Sequence, residues 1–323
     1  MTSRRSLLAA AAMLIAAPHI AAAQDVYPTH PIRLLVGFAP GGPTDVIARL
    51  LAARMGTTLG QPVVIENRPG ANGNLAAETT ARAPPDGYTV LYGTSALALS
   101  PSLYKKLSYD VMSELAPVGL TAVVPLVLAV HPSVPVKTLA EFIAYMKANP
   151  GKLNFASAGL GNVTHLGAAM FLHSQGLQAV HVPFNGSAPA ATAVAGGHVH
   201  FLTDTVNTSQ PLILDGKMLA LAVMGAKRVA ILPDVPTFAE AGIANIEIGA
   251  WQGFVVPART PEPVVAKLNA ASREALADAG VKGKLDALGA QTLGSTPKVH
   301  GDYLASEIAR WAEVIRNAGL KPE

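Results

Sequence analysis

Residues 37 to 44 read GFAPGGPT. An apolar, branched run from Ile32 to Phe38 leads into them, and an amphipathic stretch from Pro43 to Gly56 leaves them. The pattern is strand, glycine loop, helix, with Pro43 at the first helical position and Gly56 as the expected stop. Gly37, Gly42 and Thr44 fall where the phosphate-binding motif G-x-x-x-x-G-K-[ST] needs them. The lysine of that motif is missing, and Pro43 stands in its place. The loop therefore offers backbone N–H groups at a helix N-terminus, with no cation beside them.

The same alternation continues on either side. PVVIENR (62–68) reads as a second strand, GNLAAETTARAP (73–84) as a helix ended by Pro84, and YTVLYGTS (88–95) as a third strand. The apolar stretch VGLTAVVPLVLAV (118–130), interrupted by Pro125, reads as two buried strand segments. The pattern then restarts. A helix over 138–151 opens on a capping box, Thr138 and Glu141. LNFASAG (153–159) is a strand entering a second glycine loop, and VTHLGAAMFLHSQG (163–176) is the helix that follows. Strands are expected at 177–184, 198–204 and 219–225, with a short helix at 188–197. WQGFVVPARTP (251–261) reads as a return to the first unit, and Thr260-Pro261 and Thr296-Pro297 each start a helix. Strands alternating with helices predict an α/β protein with mainly parallel sheets flanked by helices. A chain that leaves one lobe, builds another and returns must cross twice, which makes a hinge.

Composition narrows the function. The 323 residues are half hydrophobic, enough for about two domains. There is no cysteine, which excludes disulfides, thiolate metal sites and thiol nucleophiles. The formal charge is +3 and aromatic residues make up 5%. A basic face and stacking platforms are both missing, which argues against nucleic acid. The N-terminus carries Arg4 and Arg5, an apolar run from Leu7 to Ala17, and Ala21-Ala22-Ala23 before Gln24. This reads as a signal peptide over residues 1–23, cleaved near Ala23. SRRSLL also resembles a twin-arginine signal, so the general secretory and twin-arginine routes are both open. A periplasmic location follows from either.

FAPGGPTD (38–45) and FASAGLGNVTH (155–165) leave their strands alike, through Phe-Ala and small residues into a helix. A helix N-terminus has unpaired N–H groups and partial positive charge, and glycines let a ligand approach. Doubly wound sheets also place their ligand crevice at the carboxyl ends of the strands. Without lysine or a metal-binding acid, a carboxylate suits these loops better than a nucleoside triphosphate. Three or four charge-assisted hydrogen bonds of roughly 1.5–3 kcal/mol each can supply the ~8 kcal/mol of micromolar binding after ordering costs.

Other chemistries are weaker. Ser157, His165 and Asp204 could be joined as a hydrolase triad, but no G-x-S-x-G elbow is present; GTSAL (93–97) lacks its last glycine. GLGNVT (159–164) starts like a dinucleotide fingerprint and ends in Thr164. HVH (198–200) would put His198 and His200 on one strand face, without a third ligand at helpful spacing, so no metal site is assigned. His131, His173, His181 and His300 carry no separate signal. Asp45 either contacts the ligand or supports its helix terminus.

Together with ENRPGANGNLAAETTARAPPDGYT, VPFNGSAPA, GKMLALAV, LPDVPTFAEAG and WQGFVVPARTP, the two loops resemble the Bug receptors. These are the extracytoplasmic solute-binding proteins of tripartite tricarboxylate transporters. The resemblance runs from about residue 28 to 320. It implies a two-lobed, Venus-flytrap periplasmic binding fold, with lobe one at 25–125 plus 250–323 and lobe two at 126–249. It also implies a small carboxylate ligand, mono- or dicarboxylate, held between the lobes. The partners implied are membrane transporter subunits; the chain is expected to be a monomer without a cofactor and not an enzyme. Carried over by position, ligand-binding residues are Phe38, Gly41, Gly42, Thr44, Asp45, Thr94, Ser95, Ser157, Gly161, Asn162, Thr164, His165 and Asp204. The family often has an acid where Ala169 and Ala193 stand, and Tyr-Lys where Phe184-Asn185 stand. Those losses favour a less polar acid. Two other roles fit the residues: a ligand-reporting receptor for a sensor kinase, and the hydrolase of Ser157, His165 and Asp204.

Overall fold

The computed structural model describes residues 27–317; the proposed signal peptide lies outside them. The strands are β1 Ile32–Val36, β2 Val63–Asn67, β3 Thr89–Thr94, β4 Leu115–Val130, β5 Asn154–Ser157, β6 Val180–Pro183, β7 Phe201–Thr205, β8 Leu219–Val223, β9 Gly249–Pro257 and β10 Gln291–Thr292. The helices are α1 Pro43–Leu59, α2 Asn74–Ala81, α3 Ala96–Leu103, α4 Val111–Glu114, α5 Leu139–Ala148, α6 Val163–Gln175, α7 Ser187–Ala195, α8 Val206–Leu214, α9 Glu262–Ala277, α10 Ala279–Ala287 and α11 Pro297–Asn317.

The strands form two sheets that share β4. The first has the order β2-β1-β3-β9-β4, with β10 beside β4. In it β1, β2, β3 and β4 run one way and β9 and β10 run against them. The second contains β4, β7, β5 and β6, with β8 also on β4. There β5, β6, β7 and β8 share one direction, opposite to β4. Residues 115–125 of β4 pair with β9, and residues 126–130 pair with β7 and β8.

The stretch 118–130 thus lies within one strand of 16 residues, Leu115–Val130, and is not two segments. Pro125 does not break it, because Pro125 stands where the partner strands change and a missing N–H costs no ladder bond within either sheet. The chain returns beside this crossing. The Leu126 amide donates to the Ile248 carbonyl at 3.2 Å, and Pro125 lies opposite Gly249.

Several local expectations shift. Helix α1 runs past Gly56 to a left-handed cap at Gly60, with φ of 70°. Gly56 is a packing glycine: a Cβ there would lie 3.3 Å from the Gln61 carbonyl oxygen. Thr296 caps α11, accepting from the Val299 amide at 3.3 Å, whereas α9 takes Pro261 rather than Thr260 as its cap residue. His198 and His200 lie in the bend before β7, not on a strand, and the His200 ring bonds Asn154. Helix α11 packs on α3 and β4, burying Trp311, and α9 packs on α1. Among the described residues no helix is long and apolar enough to cross a membrane.

Candidate ligand-binding site

The first loop connects β1 to α1, with Gly42 as N-cap and Pro43 inside the first turn. Gly41 adopts φ of 80°, a conformation that only glycine takes cheaply. Its amide donates to Asp45 Oδ2 at 2.8 Å. The same oxygen accepts from Arg49 Nε at 2.8 Å, while Asn67 Nδ2 donates to Asp45 Oδ1 at 2.8 Å and to the Phe38 carbonyl at 3.0 Å. Burial pushes the Asp45 carboxyl up, but Arg49, the Gly41 amide and Asn67 together bring it below its ordinary value. Both Asp45 oxygens are taken and the residue is 2% exposed. Of the two roles open to it, the geometry supplies loop support. The amides of Gly42, Thr44 and Asp45 meet no acceptor among the described residues and remain available to an anion.

The second loop repeats the device. It joins β5 to α6, with Asn162 as N-cap; Asn162 Oδ1 accepts from the Thr164 amide at 3.1 Å. Gly161 has φ of 67°, and its amide donates to His165 Nδ1 at 3.1 Å. In each loop the third helical residue reaches back to a left-handed glycine four residues earlier. One uses a carboxylate, the other a neutral imidazole. The Thr164 hydroxyl accepts from the Ala158 amide at 2.9 Å. The Ser157 hydroxyl and His181 Nε2 lie 2.7 Å apart. The His165 and His181 rings stack with centroids 3.8 Å apart. Burial, joined in His165 by repulsion from His181, pulls His165 down to about 3; burial alone pulls His181 down to about 4. Both rings are therefore neutral at neutral pH, as the acceptor role of His165 Nδ1 requires.

The triad fails on these contacts. Ser157 pairs with His181, His165 holds Gly161, and Asp204 Oδ1 accepts from the Ser187 hydroxyl at 2.7 Å and the Thr205 amide at 2.8 Å. Asp204 Oδ2 is buried without a partner among the described residues. Burial raises Asp204 to about 6 against the pull of its Ser187 and Thr205 hydrogen bonds.

The register sets where these groups face. Thr94 lies opposite Gln252, which lies opposite Ala122, and the Ser95 amide donates to the Trp251 carbonyl at 3.0 Å. The carboxyl end of β3 is thus a few residues before the β4 crossing. On the other side, Thr205 pairs with Leu126 and Asp204 with Val127. Because β7 and β5 oppose β4, their carboxyl ends point back toward the crossing. The carboxyl edges of the two sheets face one another, and each glycine loop stands on one of them. Helix α3, which starts after Ser95, spans the interval: a Cβ on Gly161 would lie 2.7 Å from Leu103 Cδ1 near its far end. Eight residues of helix cover roughly 12 Å.

Residues 47–320 match the TctC model, the tripartite tricarboxylate transporter family receptor. The chain belongs to this receptor family. Protein BugT of Bordetella pertussis is 37% identical over 319 residues, covering 98% of both chains. The solved structure of Rpa4515 from R. palustris with adipate has a TM-score of 0.85 at 37% identity, covering 92% of this chain and 100% of the other. MatC from Rhodopseudomonas palustris with bound malate has a TM-score of 0.79 at 38% identity, covering 90% and 100%. The receptor fold, a periplasmic binding protein architecture, is the one that the resemblance implied.

A groove of about 830 Å³ lies away from the loops. It lies along Leu219–Leu221 of β8 between Lys137–Ala140 and Asp234–Pro236, beside the end of β4 remote from the crossing. It is not taken as the ligand site, since no residue of either glycine loop lines it. The crevice lined by Gly37, Phe38, Asn74 and Thr94 does adjoin the first loop. Sequence reasoning missed Asn67, Arg49 and His181. Asn67 had a usable signal, since it ends a strand on the loop-bearing edge; His181 had none, because its contact depends on the pairing of β6 with β5.

Proposed function

We propose that this receptor captures a small carboxylate ligand between its two sheets and delivers the closed form to the membrane subunits of a tripartite transporter. The observation carrying this reading is the opposition of two glycine-loop helix starts, the first with free amides, across the double crossing. Adipate and malate in two related structures support a carboxylate. The lobes are taken as 25–125 plus 250–323 and 126–249, in keeping with the membership of the sheets. The first loop binds through the amides around Gly42 with Thr44, Thr94 and Ser95. The second binds through the start of α6, shaped by Asn162, Thr164 and His165. Apolar or neutral residues at Ala169, Phe184, Asn185 and Ala193, where the family often carries charge, favour an acid of low polarity. The chain acts as a monomer, without a cofactor or catalysis, after export by a signal ending near Ala23.

The test is a thermal-shift screen of purified protein against mono-, di- and tricarboxylates. A ligand at a hundred times its dissociation constant adds about 2.7 kcal/mol of stability. Gly42 has an ordinary φ of −73°, and a Cβ there would lie 3.5 Å from the Ala39 carbonyl oxygen. Gly42→Val should therefore fold and lose the shift, because its branches cover the free amides. A full shift in that variant removes the first loop from the site. Preference for a tricarboxylate would refute the low-polarity assignment.

A further inference from the structure

The crevice below the first loop holds a polar group that the site built so far does not use. Asn74, the first residue of α2, is 8% exposed. Its Oδ1 accepts from the Tyr109 hydroxyl at 2.8 Å. Its Nδ2 is buried and meets no acceptor among the described residues. A buried donor left unmade is destabilising, and such groups in a folded protein call for a partner. Asn74 lines the crevice together with Gly37, Phe38 and Thr94, and the space measures about 10 Å³. That admits one oxygen-sized atom, not a whole ligand.

The surroundings fix the polarity of this amide. Tyr109 is buried and its hydroxyl is shifted upward by burial, so it stays protonated and remains a donor to Oδ1. The amide cannot turn without losing that bond, so Nδ2 is the side of Asn74 left for a guest. Gly70, Ala71, Asn72 and Gly73 all have positive φ, and this run brings the start of α2 beneath the first loop. Gly73 packs so closely that a Cβ on Gly37 would lie 2.6 Å from its Cα. The N-terminus of α2 adds partial positive charge on the same side.

We infer that Asn74 is a ligand-binding residue, donating from Nδ2 to one carboxylate oxygen seated beside Thr94 and selecting acids over ligands that present a donor there. This rests on the carboxylate reading of the site. Asn74→Asp keeps the shape and the acceptor for Tyr109 but replaces the donor with a negative oxygen. Calorimetry with malate, adipate and straight-chain mono- and dicarboxylates of two to eight carbons should show that variant binding at least roughly 100-fold more weakly than wild type, the equivalent of one charge-assisted hydrogen bond and more. Tyr109→Phe, which frees the amide to turn, should weaken binding by a smaller factor. In wild-type protein the Asn74 side-chain amide resonances should move on saturation with the tightest acid of the series. That measurement decides the matter alone if Asn74→Asp does not fold. Unchanged affinity in Asn74→Asp, or unmoved Asn74 resonances in saturated wild type, overturns the assignment and leaves the carboxylate reading standing. Failure of every acid to bind wild type overturns both.

Discussion

Asp45 and His165 show how one backbone task is met by two chemistries. Each accepts from a left-handed glycine amide four residues earlier, but only Asp45 carries charge, balanced by Arg49. The second loop therefore depends on an imidazole staying neutral, and this gives stability a pH dependence. His165, His181 and His300 have folded values of about 3, 4 and 4, lowered mainly by burial from 6.5. Between those values and 6.5 the unfolded chain binds more protons. Their contribution is full above 6.5 and is lost as pH falls. Asp204 acts oppositely: raised from 3.8 to about 6, it takes a proton first in the folded state and adds stability as pH falls through that range. Three groups outweigh one, so the ligand-free melting temperature should drop between pH 6.5 and 4.5. His300→Leu should flatten the drop by removing a buried ring whose shift corresponds to on the order of 3 kcal/mol. Asp204→Asn should steepen it. A flat or rising wild-type profile would contradict this balance. The loops themselves were legible from Gly, Pro and small residues, yet the side chains that lock them were only partly so. Asp45 was visible by position but with its role undecided, and His181 became meaningful only once Phe155 was known to lie opposite it.

Among the elements, β4 carries most of what the sequence hid. A proline inside an apolar run is ordinarily a break, and sequence alone makes Pro125 one. Here it marks the point at which the strand changes sheets, which no local pattern encodes. Caps and helix-opening prolines, by contrast, located α1, α5 and α11, because those signals act within one turn. Gly56 misled for the same reason: its contacts are with the Gln61–Val63 turn after the helix, and they explain it better than a stop signal. The crossing also has a glycine that sterics require. A Cβ on Gly249 would lie 2.3 Å from Val123 Cγ2 and 3.2 Å from the Val124 carbonyl oxygen. Gly249→Ala should lose about 1–3 kcal/mol through overpacking, read as a lower urea midpoint at unchanged slope. Gly283 sits exposed within α10, where an added Cβ meets nothing within 4 Å. Gly283→Ala should instead gain roughly 0.5–1 kcal/mol by restricting the unfolded chain. Equal effects at both positions would show that backbone entropy, not contact at the crossing, governs Gly249.

For the whole molecule, strand–helix alternation and the restart after residue 130 were enough to give two sheets. What the alternation could not give is their mutual orientation, which follows from β4 running against β5 and β7 while running with β1 and β3. That antiparallel join turns the carboxyl edges of both sheets toward the crossing, which is where the proposed function places the ligand. Among the described residues two chain crossings join the sheets, at Pro125–Leu126 and Ile248–Gly249, tied by the Leu126 to Ile248 hydrogen bond. A ligand that binds amides on both edges gains most when the halves are closest, so it must shift the population toward closure by its difference in affinity for the two states. Small-angle scattering should show this directly. A compact chain of this length has a radius of gyration of about 20 Å, and saturation with a bound acid should lower it in wild type. In Gly42→Val, where the first seat is covered, the same acid should leave the curve unchanged. A ligand that binds wild type tightly with no change in scattering would place all of its contacts on one half, and the second loop would then have to serve a purpose other than gripping the same molecule.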